Sequence, residues 1–120
     1  MEPIFDRAGV HVGWLAGEVI LDRDLEPRAF ASRGAIFSYN RRFLGWLDSG
    51  YFRDGHGDAV AFVRGAWGTP PPPPAGRVAA HPVGRLAGVP PFAPVPPQRP
   101  AWTSSWSRRG WDAYVDLVTT

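Results

Sequence analysis

The chain has 120 residues, with 14 Pro, 14 Gly, no Cys and a formal net charge of +2. That length allows one domain with an appendage. The absence of Cys excludes disulfides and thiolate-bound metals, and the near-neutral charge lacks the clustered positive footprint of a nucleic-acid binder. No run approaches the roughly 18 apolar residues of a membrane span, and Met1–Gly9 has neither the basic nor the apolar region of a secretory signal. No membrane or nucleic-acid partner is therefore expected, and the cytoplasm is the expected compartment.

Residues 4–67 divide without gaps into four copies of a 16-residue repeat, beginning at Ile4, Ile20, Ile36 and Phe52. Position three is Asp6, Asp22, Ser38 and Asp54. Position ten is always small (Gly13, Ala29, Gly45, Ala61), and position eleven always aromatic (Trp14, Phe30, Trp46, Phe62). Copies 1 and 3 share Gly-Trp-Leu, whereas copies 2 and 4 share Ala-Phe, so a 32-residue pair is itself repeated.

Each copy has room for two short strands. The Asp of position three opens a turn through its side-chain oxygen, and Gly supplies positive φ. Apolar runs follow at Val10–Leu15, Arg28–Ala31, Phe43–Leu47 and Ala59–Val63, and Gly17, Gly34, Gly50 and Gly65 mark the closing turns. The pattern predicts an all-β fold: eight strands in a meander. Strands so short must close on themselves or leave two bare edges, so the four hairpins are expected to form a pseudo-fourfold ring or barrel. Small residues at position ten let backbones crowd in a narrow ring. Position eleven lies on the opposite face, where Trp14, Phe30, Trp46 and Phe62 form an aromatic belt.

The Ile-Phe-Asp-x-x-Gly opening, the Val-Gly-Trp-Leu and Phe-Leu-Gly-Trp-Leu-Asp-Ser-Gly-Tyr-Phe-Arg-Asp segments and the Pro-rich tail with spaced Trp resemble the four-fold β-flower family of small bacterial proteins. The resemblance covers residues 4–67 well and the tail loosely. It implies the closed fold and brings no activity or site residues with it.

Twelve of the 14 Pro lie between Pro70 and Pro100. Residues 68–101 are therefore expected to be extended polyproline II, which serves as a spacer or docks on aromatic surfaces. One such surface is the belt itself. The apolar Val83, Leu86, Val89, Phe92 and Val95 suggest that the tail packs back on it. Val83–Gly88 also faintly echoes Val12–Gly17. Residues 102–120 carry Trp102, Trp106 and Trp111 and read as a Trp-rich end with a short helix over Ser107–Thr120. There Trp111, Tyr114, Val115 and Val118 share one face, and Ser107 is a candidate cap. So short a helix must dock to be stable. It is expected to plug the ring or anchor a partner.

Catalytic and metal-binding patterns are missing. His11, His56 and His81 are not at metal-ligand spacing, and the repeated Asp residues stand one per hairpin, as turn formers. No nucleophile has an evident base, and no cofactor is expected. The expectation is a non-enzymatic interaction or structural module, monomeric or weakly dimeric. Its belt would be covered by its own tail or by another protein, with Trp14, Phe30, Trp46, Phe62, Trp102, Trp106 and Trp111 as the interaction residues. The alternative is a small-ligand domain, for a carbohydrate for example, that uses exposed Trp.

Overall fold

The computed structural model describes residues 1–78 and 90–116. Eight strands follow one another in the chain: β1 Glu2–Asp6, β2 His11–Ala16, β3 Val19–Asp22, β4 Pro27–Ser32, β5 Ala35–Ser38, β6 Phe43–Asp48, β7 Tyr51–Arg53 and β8 Ala59–Val63. All neighbours pair antiparallel, and β8 returns to β1, so the ring is a closed barrel without edges. The closing seam has the register of the other seams between copies. Position twelve faces position one in Leu15↔Ile20, Ala31↔Ile36 and Leu47↔Phe52, and again in Val63↔Ile4. The first strand begins at Glu2, two residues before the repeat.

The turn of position three is the same in every copy. Asp6 Oδ1 accepts hydrogen bonds from the backbone N–H groups of Ala8 and Val10, and Asp22 and Asp54 repeat this with Asp24/Glu26 and His56/Asp58. Ser38 Oγ accepts one from Arg42 N–H. Position six of each turn is left-handed: Gly9 (φ 80°), Leu25 (65°), Arg41 (68°) and Gly57 (90°).

Within each hairpin the register slips by one residue, leaving Val12, Arg28, Leu44 and Val60 at position nine as β-bulges. A bulge breaks the strict in–out alternation of a strand. Positions nine and ten can then both face the interior, where Leu44, Val60, Ala29 and Ala61 pack with Ile4, Ile20, Ile36, Phe52, Leu15 and Val63. Position ten is small because the neighbouring strand crosses closely. A Cβ on Gly13 would lie 2.5 Å from the Leu21 carbonyl oxygen, and one on Gly45 1.8 Å from that of Arg53.

The same interior receives the helix α1, Trp111–Asp116, at the barrel end that carries the Asp turns. Trp111 meets the Phe52 ring edge-on at 5.6 Å, and Tyr114, fully buried, donates to the Arg53 carbonyl. The helix starts at Trp111, not at Ser107. The Ser107 hydroxyl accepts from Arg109 N–H, and Gly110 O receives the first helical bond, from Tyr114 N–H. Val118 and the Val83–Gly88 echo lie outside the described residues.

Candidate functional site

The outer face of the barrel is built from positions two and eleven of the repeat. They pair as Phe5↔Phe62, Trp14↔Leu21, Phe30↔Phe37 and Trp46↔Arg53. The belt residues Trp14, Phe30, Trp46 and Phe62 are 6%, 1%, 7% and 3% exposed. A solvent-facing Trp platform, which the small-ligand alternative requires, does not exist at Trp14 or Trp46. What buries them is partly their neighbours on the outer face and partly the tail, which wraps the barrel from outside.

The wrap is traced by three apolar clusters on the outer face. Val78 packs both on Phe5/Phe62 and on Trp14/Leu21. Ala93 and Trp102 pack on Phe30, Phe37 and Trp46, with Trp102 6.4 Å from Trp46 between ring centroids. Trp106 meets Phe62 at 6.4 Å and Tyr51 at 6.3 Å, both edge-on. Trp102 and Trp106 are thus half-buried contacts on the belt. Trp111 belongs to a different place, the barrel interior. Phe92 and Val95 do not pack: they are 85% and 93% exposed, so apolar residues in this tail did not all signal burial.

Backbone hydrogen bonds stitch the tail to two of the four equivalent turns. Gly76 N–H donates to Gly9 O (2.8 Å) and Thr103 N–H to Gly57 O (3.2 Å). At these turns a Cβ would lie 2.3 Å from Pro74 O and 2.4 Å from Ala101 O, respectively. Glycine at position six is therefore required where the tail crosses, in copies 1 and 4. Further on, Ala59 N–H donates to Ser105 O and Ser107 N–H to Ala59 O, so the tail runs parallel beside the start of β8.

The centre of the arrangement is Arg53, which the sequence reading passed over. It is 2% exposed. One guanidinium nitrogen donates to the carbonyls of Gly57 (2.9 Å) and Thr103 (3.2 Å), the other to Thr69 O (2.5 Å). The guanidinium carbon sits 5.0 Å from the Tyr51 ring centroid and 5.3 Å from that of Trp102. Tyr51 in turn donates to Pro70 O. One side chain thus ties the tail's departure at Thr69 to its return at Thr103. Burial pulls the Arg53 pKa below the usual arginine value, while Tyr51, Asp48, Asp58 and Asp54 pull it back. Its Nε has no hydrogen-bond partner among the described residues. A signal existed in the sequence: position two is Phe5, Leu21 and Phe37 in the other copies, and Arg53 alone is charged.

Two acids complete the seam: Trp102 Nε1 donates to Asp48 Oδ2 (2.9 Å), and Thr103 Oγ1 to Asp58 Oδ1 (2.6 Å). His11 is buried against the Trp14 ring edge at 4.7 Å, with Nε2 2.9 Å from Gly13 O. Burial, with Arg23 and Arg64 nearby, lowers its pKa. His56 stands in its turn, and His81 lies outside the described residues. No three potential metal ligands cluster among the described residues.

The family model described as 4-fold beta flower protein matches residues 2–115, which takes in the barrel, the wrap and most of the helix. No curated protein and no solved structure gives a significant match. No helix among the described residues is long and apolar enough to cross a membrane.

Proposed function

The chain belongs to the 4-fold beta flower protein family, and from that premise we propose that it is a non-enzymatic interaction or structural module whose aromatic belt is held closed by its own tail. The observation that carries this reading is the Arg53 clasp, with Val78, Ala93, Trp102 and Trp106 seated on the belt. A buried arginine is costly unless its donors are satisfied. Here the carbonyls that engage its two terminal nitrogens include Thr69 and Thr103 of the tail. Barrel and tail therefore act as one unit, and we take that unit to be monomeric or weakly dimeric and cytoplasmic, with no nucleic acid, membrane or cofactor.

Truncation after Trp67 tests the reading. It strips the outer clusters and removes the α1 plug, from a barrel small enough to be marginal by itself. A markedly lower melting temperature is expected, and the intact chain should resist trypsin at Arg77 and Arg109. An unchanged melting curve, or cleavage there as fast as in a denatured chain, would overturn it.

A further inference from the structure

Between Ala93, seated on the belt, and Thr103, bonded to Gly57, the tail crosses open surface with both ends fixed. Within 90–100 every residue except Phe92 and Gln98 is Pro or immediately precedes Pro. Proline fixes φ, and the residue before it is confined to extended backbone. The span has no hydrogen-bonded secondary structure.

Polyproline II repeats every three residues, and over residues 91–95 the exposure follows that period, while residues 95–99 are all exposed. Phe92 (85%), Val95 (93%) and Gln98 share the outward ridge and are all exposed. Pro91 and Pro94, on the next ridge, are half-buried, and Pro97 further along it is exposed. Phe92 and Val95 thus stand about 9 Å apart on the outer edge of a strand held in place. Pro94, Pro97 and Arg99 give the spacing Pro-x-x-Pro-x-Arg, and the Arg99 guanidinium is held 4.5 Å from the Trp102 ring centroid. Along the chain from Ala59 to Trp111 there are six Arg and no Asp or Glu, and the barrel's Asp48 and Asp58 beside the tail are engaged by Trp102 and Thr103.

We propose that the outward ridge of residues 92–99 is a docking strand for another protein, one that offers an aromatic-lined groove with a carboxylate rim. Extended proline strands are recognised by such grooves, because ring faces receive the ridge and little entropy remains to be lost. The inference deepens the interaction reading above and rests on it in one respect: the docked tail keeps the strand in its binding shape. The barrel's own belt cannot be the groove for a second copy while the tail occupies it.

The probe is a purified SH3 domain, whose groove is aromatic and flanked by acidic residues, titrated against the full chain. Saturable binding is expected. Val95→Asp and Arg99→Gln should each weaken it at least about tenfold, as should removal of the groove tryptophan from the probe. Val10→Asp, at an exposed residue elsewhere, should not. Val95 touches so little that its variant should melt as the parent does, which separates binding from folding. No saturable binding, or equal binding by Val95→Asp, would overturn the ridge. So would a Val95→Asp effect confined to self-association in sedimentation, which would make the ridge a contact between copies. Binding that persists while Arg77 is cut freely would overturn the closed-belt reading and leave the ridge standing.

Discussion

The Tyr114 hydroxyl donates a 2.8 Å hydrogen bond to the carbonyl of Arg53, sixty-one residues earlier in the chain. The bond joins the helix that plugs the barrel to the residue that clasps the wrap. Space for it comes from Gly45, whose missing Cβ would lie 2.7 Å from that hydroxyl. Tyr114→Phe should leave the buried Arg53 carbonyl without this partner and cost about 1–3 kcal/mol. A chain of this size loses roughly 4–8 °C of melting temperature per kcal/mol, as thermal unfolding will read. Burial raises the Tyr114 pKa well above the usual value, so the hydroxyl should remain a donor in alkaline buffer until the fold opens.

Arg53→Lys is expected to be far from conservative. An ammonium cannot span three carbonyls and stack on two rings as a planar guanidinium does. Loss of charge-assisted bonds of about 1.5–3 kcal/mol each should loosen the tail before the barrel. The check is trypsin cleavage at Arg77, which should accelerate under conditions where far-ultraviolet circular dichroism still reports strands.

The four left-handed turn positions should respond oppositely to substitution. Arg41 is exposed at φ 68°, where an L-residue pays about 1–2 kcal/mol, and among the described residues no tail hydrogen bond involves it. After the entropy that glycine loses on folding, Arg41→Gly should stabilise by about 0.5–1 kcal/mol. Gly57→Ala, at the equivalent position of the next copy, should destabilise by at least about 2 kcal/mol, because strain combines with a Cβ 2.4 Å from Ala101 O. Chemical denaturation of the two variants beside the parent decides it.

Acid should weaken the fold through His11. Its folded pKa is lowered, chiefly by burial, so below the ordinary value of 6.5 the unfolded chain binds the proton more readily. The favourable contribution of neutral His11 is complete above that value and is lost as pH falls through the folded pKa. Position eight is Phe43 in copy 3, so His11→Phe can replace the imidazole with a residue the repeat already uses. Melting temperatures between about pH 7.5 and pH 5 should fall for the parent and fall less for the variant.

The barrel was legible because its physics repeats: one small and one aromatic position per copy, set by the same crossing and the same outer face. The bulges were not legible. Val12, Leu44 and Val60 are aliphatic like ordinary strand residues and Arg28 is not, and a register slip leaves its mark on the backbone. The need to cover Trp14, Phe30, Trp46 and Phe62 could be read from strand alternation. What fastens the cover could not, because Arg53 looked like one more surface charge until it was compared with Phe5, Leu21 and Phe37. Phe92 and Val95 were misread because an apolar residue in a proline strand faces wherever the threefold period puts it. The helix began later than its periodicity suggested because Ser107 is engaged with Arg109 N–H, before the first turn.

The equivalence of the four seams has a cost that Arg53 offsets. Copies so alike can pair out of order, or with copies in another molecule, and the hydrogen-bond ladder would be equally content. Only copy 4 carries a guanidinium where the tail returns, and only copies 1 and 4 have the bare glycine turns that let it cross. The wrap therefore works as a key cut for one arrangement of the ring: it tells apart four segments whose strand pairing is alike.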